Sequence, residues 1–166
     1  TAIATGRGEQ LSTLAGLNNI YIVLAKYRSL EVSTAWAYKT YRASFGSSYI
    51  KDKESLAARA DAVHSGGMVK AILHKDVKEI AERLHNDLEK VVLPAYPQVM
   101  QLREIFASQE NVLGTMMSGS GPSVFALCES KQQAEKVKQR VREAIPDEDL
   151  ELFVTEFVTH GIKIAS

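Results

Sequence analysis

Ser118-Gly119-Ser120-Gly121-Pro122 stands between two apolar runs, Met116-Met117 and Val124-Phe125-Ala126-Leu127-Cys128. Alternating serine and glycine in that place has a definite chemical use. Glycines at 119 and 121 adopt backbone angles closed to other residues and let a second group approach the main chain closely. Successive backbone N–H groups in such a turn can converge on an anion. A plain tight turn between two core strands would use the same residues.

A second candidate lies at Ser33-Thr34. Ser33 suits the N-cap of a helix over 34–43, its hydroxyl accepting from an N–H in the first turn. The start of that helix presents free donors and roughly half a positive charge, which favours phosphate. Thr34 adds a hydroxyl there. Trp36, Tyr38 and Tyr41 bring aromatic surface to the same helix, for core packing or for stacking on a ring. Arg7, between Gly6 and Gly8, is either a solvated turn residue or a contact with a phosphate or across a domain boundary.

Other reactive types carry less. His85 and Asp87 suggest a metal or a dyad, but on a helix adjacent positions point about 100° apart. Neither His64 nor His74 stands at a ligand spacing to His85, so no metal site is expected. Cys128, the single cysteine, cannot form an internal disulfide and implies a reducing compartment. Its apolar surroundings make it a small core residue, not a nucleophile.

The elements that must position these residues follow from pattern. Ala2–Thr5 and 9–14 read as a hairpin around Gly6-Arg7-Gly8. The β-branched run 20–25 reads as a central strand buried on both faces. Short helices are expected over 54–64 and 68–74. Val77, Ile80, Ala81, Leu84, Leu88, Val91 and Val92 recur at helical spacing behind Asp76, with Pro94 just beyond, which predicts one helix. Pro97 opens another, with Val99, Leu102, Ile105 and Phe106 as its buried stripe. Strands follow at 111–117 and 124–128. Ser130 to Gln133 is a capping box before a helix whose Ala134, Val137, Val141 and Ile145 face inward. A last strand is expected over 152–159, with His160 at its end. This order predicts an α+β fold, a ferredoxin-like antiparallel sheet with helices packed mainly on one face.

With 166 residues, 45% of them hydrophobic, the chain is expected to form a single domain (1–166) with a real core. Twenty basic residues balance twenty acidic ones, so nothing argues for nucleic acid. No apolar run approaches a membrane span and no signal peptide opens the chain. Thr1 stands where a methionine would begin a protein, and strand-like sequence follows at once. That reads as a segment of a longer chain.

Ser118 to Leu127 resembles the third conserved motif of the GHMP kinases. Ala4-Thr5-Gly6-Arg7-Gly8-Glu9, Val32-Ser33-Thr34-Ala35-Trp36-Ala37-Tyr38 and Asn86-Asp87-Leu88-Glu89 stand in order before it and strengthen the likeness. The resemblance implies a C-terminal, substrate-side domain of an ATP-dependent kinase that works with Mg²⁺ on an alcohol group. The family's nucleotide-binding segment, Pro-x-x-x-Gly-Leu-Gly-Ser-Ser, is not found here. The catalytic lysine and aspartate, which the family carries in an N-terminal half, are therefore expected outside this chain, and the chain alone is expected to be inactive.

The four stretches together resemble the branch of that family that uses a substrate with a cytidine diphosphate moiety in non-mevalonate isoprenoid synthesis. The resemblance implies that Tyr38 stacks on cytosine, that Thr34 makes polar contacts, and that Ser118, Gly119, Ser120 and Gly121 face phosphate or substrate hydroxyls. It implies that Asn86 and Asp87 support the loop. Homoserine-type or mevalonate-type kinases, or a non-enzymatic ferredoxin-like anion-binding domain, are the alternatives. Expected partners are the small-molecule substrate and an N-terminal domain, with self-association of the bare domain, in a bacterial cytoplasm or plastid stroma.

Overall fold

In the computed structural model, residues 1–6, 8–50, 52–159 and 161 are described, without the side chains of Ser48 and Lys53. Strands β1 (Ala2–Thr5) and β2 (Gln10–Thr13) form the expected hairpin, Ala2 opposite Thr13 and Thr5 opposite Gln10. Arg7 and His160 lie outside the described residues.

The main sheet has strand order β4-β5-β3-β6, with β3 at Tyr21–Tyr27, β4 at Gly114–Met117, β5 at Val124–Cys128 and β6 at Leu150–Glu156. Each neighbouring pair is antiparallel. It follows that β3 runs parallel to β4 with β5 between them, and β5 runs parallel to β6 with β3 between them. Each connection must therefore cross over a strand, and helices supply the length. The first crossing holds α1 (Thr34–Phe45), a 3₁₀ turn at Gly46–Ser48, α2 (Lys53–His64), α3 (Gly67–His74), α4 (Val77–Glu82), α5 (Glu89–Ala95) and α6 (Pro97–Ala107). The second holds α7 (Lys131–Ala144). This is the α+β, ferredoxin-like arrangement expected from the pattern.

Alternation along the strands sorts side chains to two faces. Val23, Ala25 and Tyr27 of β3 and Val124, Ala126 and Cys128 of β5 point to one face, where Val99, Leu102 and Phe106 of α6 and Ala134, Val137 and Val141 of α7 bury them. Ser130 caps α7, accepting from the Gln133 N–H at 3.2 Å, and the Gln133 side chain reaches back to the Glu129 N–H. On the other face Leu127 packs with Ala71 of α3 and Ile80 and Ala81 of α4. That cover is partial. Ile22 and Leu24 are only half-buried, so β3 is not buried on both faces as its apolar run suggests. They line an apolar groove of about 510 Å³ with Met68, Phe125 and Phe157, and Ser118 lies on its wall.

One helix expected over 77–92 is two. α4 stops at Glu82, α5 begins at Glu89, and Pro94 lies inside α5 rather than beyond it. The apolar spacing carries across the gap, but Asn86 breaks the backbone. Its side-chain oxygen accepts from the Leu88 N–H at 3.0 Å, a local bond that competes with helix.

Cys128 is fully buried, and burial pushes its thiol from 9.0 up to about 11. The folded chain is therefore expected to resist an aromatic disulfide reagent at pH 8, with one thiol titrating once urea unfolds it. The raised value also fixes a sign. The stabilisation it carries is present below 9.0 and is lost as pH rises towards 11. Rapid reaction of the native thiol at pH 8 would contradict the packed core on this face.

Candidate functional site

The loop from Ser118 to Ser123 is closed by its own backbone. The Ser118 N–H donates to the Ser123 carbonyl at 2.8 Å and the Gly121 N–H to the Ser118 carbonyl at 2.9 Å. Gly119 has φ +56° and Gly121 φ +80°, and the Gly121–Pro122 peptide is cis. A Cβ at Gly121 would stand 2.8 Å from Met117 Sδ, whereas one at Gly119 would meet nothing within 4 Å. So Gly121 answers to backbone angle and to packing, and Gly119 to backbone angle alone.

Of the four N–H groups expected to face a ligand, two are spent inside the loop. Among the described residues those of Gly119 and Ser120 have no partner. Asn86 sets where the Ser120 N–H points. Its Nδ2 donates to the carbonyls of Met117 and Gly119, each at 2.8 Å. Carbonyl and N–H of one trans peptide point in opposite directions. Holding the Gly119 carbonyl on Asn86 therefore aims the Ser120 N–H away from it, out of the loop. Holding the Met117 carbonyl likewise turns the Ser118 N–H towards Ser123.

Glu89 fixes the base of the loop. Its Oε1 accepts from the Met117 N–H at 2.7 Å and from Arg103 Nε at 3.1 Å. Asn86 and Glu89 thus join the start of α5 and the face of α6 to the last residue of β4.

Thr34 reaches the loop from the other side. Its Oγ1 lies 2.8 Å from Ser120 Oγ. Ser33 caps α1 as expected, accepting from the Trp36 N–H at 3.3 Å. Tyr38 is four residues on from Thr34 and so shares its helix face, with 59% of its surface exposed. Thr34 therefore meets Ser120 of the loop, and Tyr38 stands one helical turn further along the same helix. Trp36 does not join them: its ring packs edge-on against Tyr96, centroids 5.5 Å apart, at the margin of the core.

Asp87 does not touch the loop. It pairs with Lys90 at 2.7 Å and with His85 at 3.2 Å. The Lys90 hydrogen bond holds the Asp87 carboxyl below its ordinary value, and Asp87 in turn raises Lys90. His85 and Asp87 meet because 83–88 is not helical, which removes the 100° argument. Among the described residues no group of three or more His, Cys, Asp or Glu is placed to hold a metal ion.

Glu89 has no role assigned from the sequence; its signal is an acid three residues after Asn86, at the start of an apolar helix. Lys90 was legible as the cation three residues after Asp87.

The loop thus leaves the Gly119 and Ser120 N–H groups without a partner among the described residues, with Ser120 in contact with Thr34 at the start of α1 and Tyr38 exposed on that helix. The family described as GHMP kinases C terminal matches residues 68–147. The chain is 77% identical over its whole length to 4-diphosphocytidyl-2-C-methyl-D-erythritol kinase of Nostoc punctiforme and covers 52% of that protein. It is 51% identical to the protein of the same name from Acaryochloris marina, covering 53% of it. The chain thus spans about half the length of the curated relatives it matches. A solved 4-(cytidine 5'-diphospho)-2C-methyl-D-erythritol kinase superposes over 93% of the chain and 48% of its own, with TM-score 0.63 at 20% identity. Phosphomevalonate kinase of Streptococcus pneumoniae does so over 89% and 44%, with TM-score 0.57 at 16% identity. At those identities the likeness is one of fold.

Proposed function

We propose that this chain, whose residues 68–147 match the C-terminal domain of the GHMP kinases, is the substrate-side half of a 4-diphosphocytidyl-2-C-methyl-D-erythritol kinase. The complete protein would transfer the γ-phosphoryl of ATP to the 2-hydroxyl of that cytidine-bearing alcohol. The observation that carries this reading is the 2.8 Å contact between Thr34 and Ser120. It joins the helix start to the glycine loop, so one ligand can touch both.

Phosphoryl transfer depends mainly on positioning and on stabilising charge. The Gly119 and Ser120 N–H groups are donors for an oxyanion, either the transferring phosphate or substrate oxygens nearby. Thr34 Oγ1 orients a polar group against Ser120. Tyr38 presents a face to the cytosine. ATP requires Mg²⁺ for such chemistry. By the family resemblance we assign the catalytic lysine and the catalytic aspartate to the other half of the protein. The apolar groove beside Ser118 suits contact with that half, since the relatives are about twice as long as this chain. No helix among the described residues is long and apolar enough to cross a membrane, and we place the enzyme in the cytoplasm or a plastid stroma.

The test is Tyr38→Ala in the complete kinase. Base stacking on an aromatic ring contributes ~1–3 kcal/mol, so KM for the cytidine substrate should rise roughly 5- to 150-fold. KM for ATP should change little. A variant whose two KM values rise together, or neither, would remove Tyr38 from the substrate contact.

A further inference from the structure

Past Tyr38, helix α1 leads to a second cavity that the kinase reading does not use. It is a shallow, open depression of about 520 Å³ lined by Tyr41, Tyr49, Leu56, Arg59, Asp87 and Lys90, but not by Tyr38. Its chemistry is unlike that of the apolar groove. The rings of Tyr41 and Tyr49 lie near-parallel, 25° apart, with centroids separated by 6.2 Å. That separation is within the range of direct ring contact, so the two rings stack on each other and present one continuous aromatic surface. Tyr49 keeps 42% of its surface exposed, so its ring is not spent on the core.

Two cations line the same cavity. Lys90 Nζ lies 6.0 Å from the Tyr41 ring and 5.5 Å from that of Phe45, and pairs with Asp87. The Arg59 guanidinium has no ion pair or hydrogen bond among the described residues. One carboxylate against two cations leaves the cavity net positive. A free guanidinium beside aromatic faces is suited to bind phosphate in a planar, two-pronged way.

We propose that this cavity is a second ligand site, taking a nucleoside phosphate, with the base against Tyr41 and Tyr49 and the phosphate on Arg59 and Lys90. Asp87 follows Asn86, the residue that aims the glycine loop, so an occupant that draws Lys90 from Asp87 acts one residue away from that clamp. The site stands on its own residues and does not depend on the kinase reading.

Titration of the 166-residue chain with CMP, followed by calorimetry and by chemical-shift changes, tests it. Saturable binding is expected, with shifts at Tyr49 and Lys90. Tyr38→Ala, which removes the cytosine contact proposed above, should leave a saturable component of binding, and Tyr49→Ala or Arg59→Met added to it should weaken that component about tenfold or more. Loss of all binding in Tyr38→Ala alone would move the nucleotide to the α1 start and overturn the proposal. No saturable binding would overturn it as well. Circular dichroism of each variant separates lost affinity from lost structure.

Discussion

Glu89→Ala is expected to destabilise this chain by about 2–4 kcal/mol, a size typical of removing one partner from a buried charge-assisted contact. Position in the sheet explains why. β4 is an edge strand, so one row of its N–H groups has no neighbouring strand to meet. Met117 is fully buried, and its outward N–H donates to Glu89 Oε1 at 2.7 Å. The Glu89 side chain is itself only 16% exposed. Alanine would strand that N–H where water reaches it poorly. Arg103 matters less to the total, because a third of its side chain meets solvent, which screens the pair. Glu89→Gln keeps a carbonyl oxygen for the Met117 N–H and should cost only about 1 kcal/mol. Urea unfolding measures both. An alanine variant within about 0.5 kcal/mol of the parent, the range of neutral surface changes, would mean that the edge amide is satisfied without Glu89.

The same residues mark the limit of what the sequence made legible. The sheet strands, the Ser33 and Ser130 caps and the α6 and α7 stripes follow from local pattern, since period, cap chemistry and burial all agree there. The break between α4 and α5 does not. Leu84 and Leu88 keep the helical spacing, and nothing within the segment tells that Asn86 will spend its side chain on carbonyls 31 and 33 residues away. Long-range bonds of this kind are decided by the fold, and they override propensity. The division of labour at Asn86-Asp87 was hidden for the same reason. Both polar residues read as supports for the loop, but Asp87 has Lys90 within reach and Asn86 has the loop. At the candidate site, the nearness of Thr34 to Ser120 spans 86 residues. Composition and spacing identify each partner separately, and only the crossover brings them together.

Gly119→Val in the complete protein, if it is the kinase proposed above, is expected to lower kcat/KM by about 10²- to 10³-fold, the cost of losing one oriented donor at a transferring group. Valine meets no steric barrier from neighbours, since the space around a Cβ there is open. The barrier is conformational: φ is +56°, and a β-branched residue resists the left-handed region by roughly 1–2 kcal/mol. The backbone escapes by rotating the 119–120 peptide. That rotation takes the Gly119 carbonyl from Asn86 and swings the Ser120 N–H off its direction, since the two are fixed to one plane. The sheet below is held by Glu89 and by β5, so overall stability should fall far less than activity. Gly119→Asn separates angle from space. Asparagine tolerates left-handed angles, so it should retain much more activity than valine. If valine leaves the kinetics unchanged, the loop is only a turn. If asparagine is as damaging as valine, the space above Gly119 is filled by the ligand, and the glycine is required for room, not for direction.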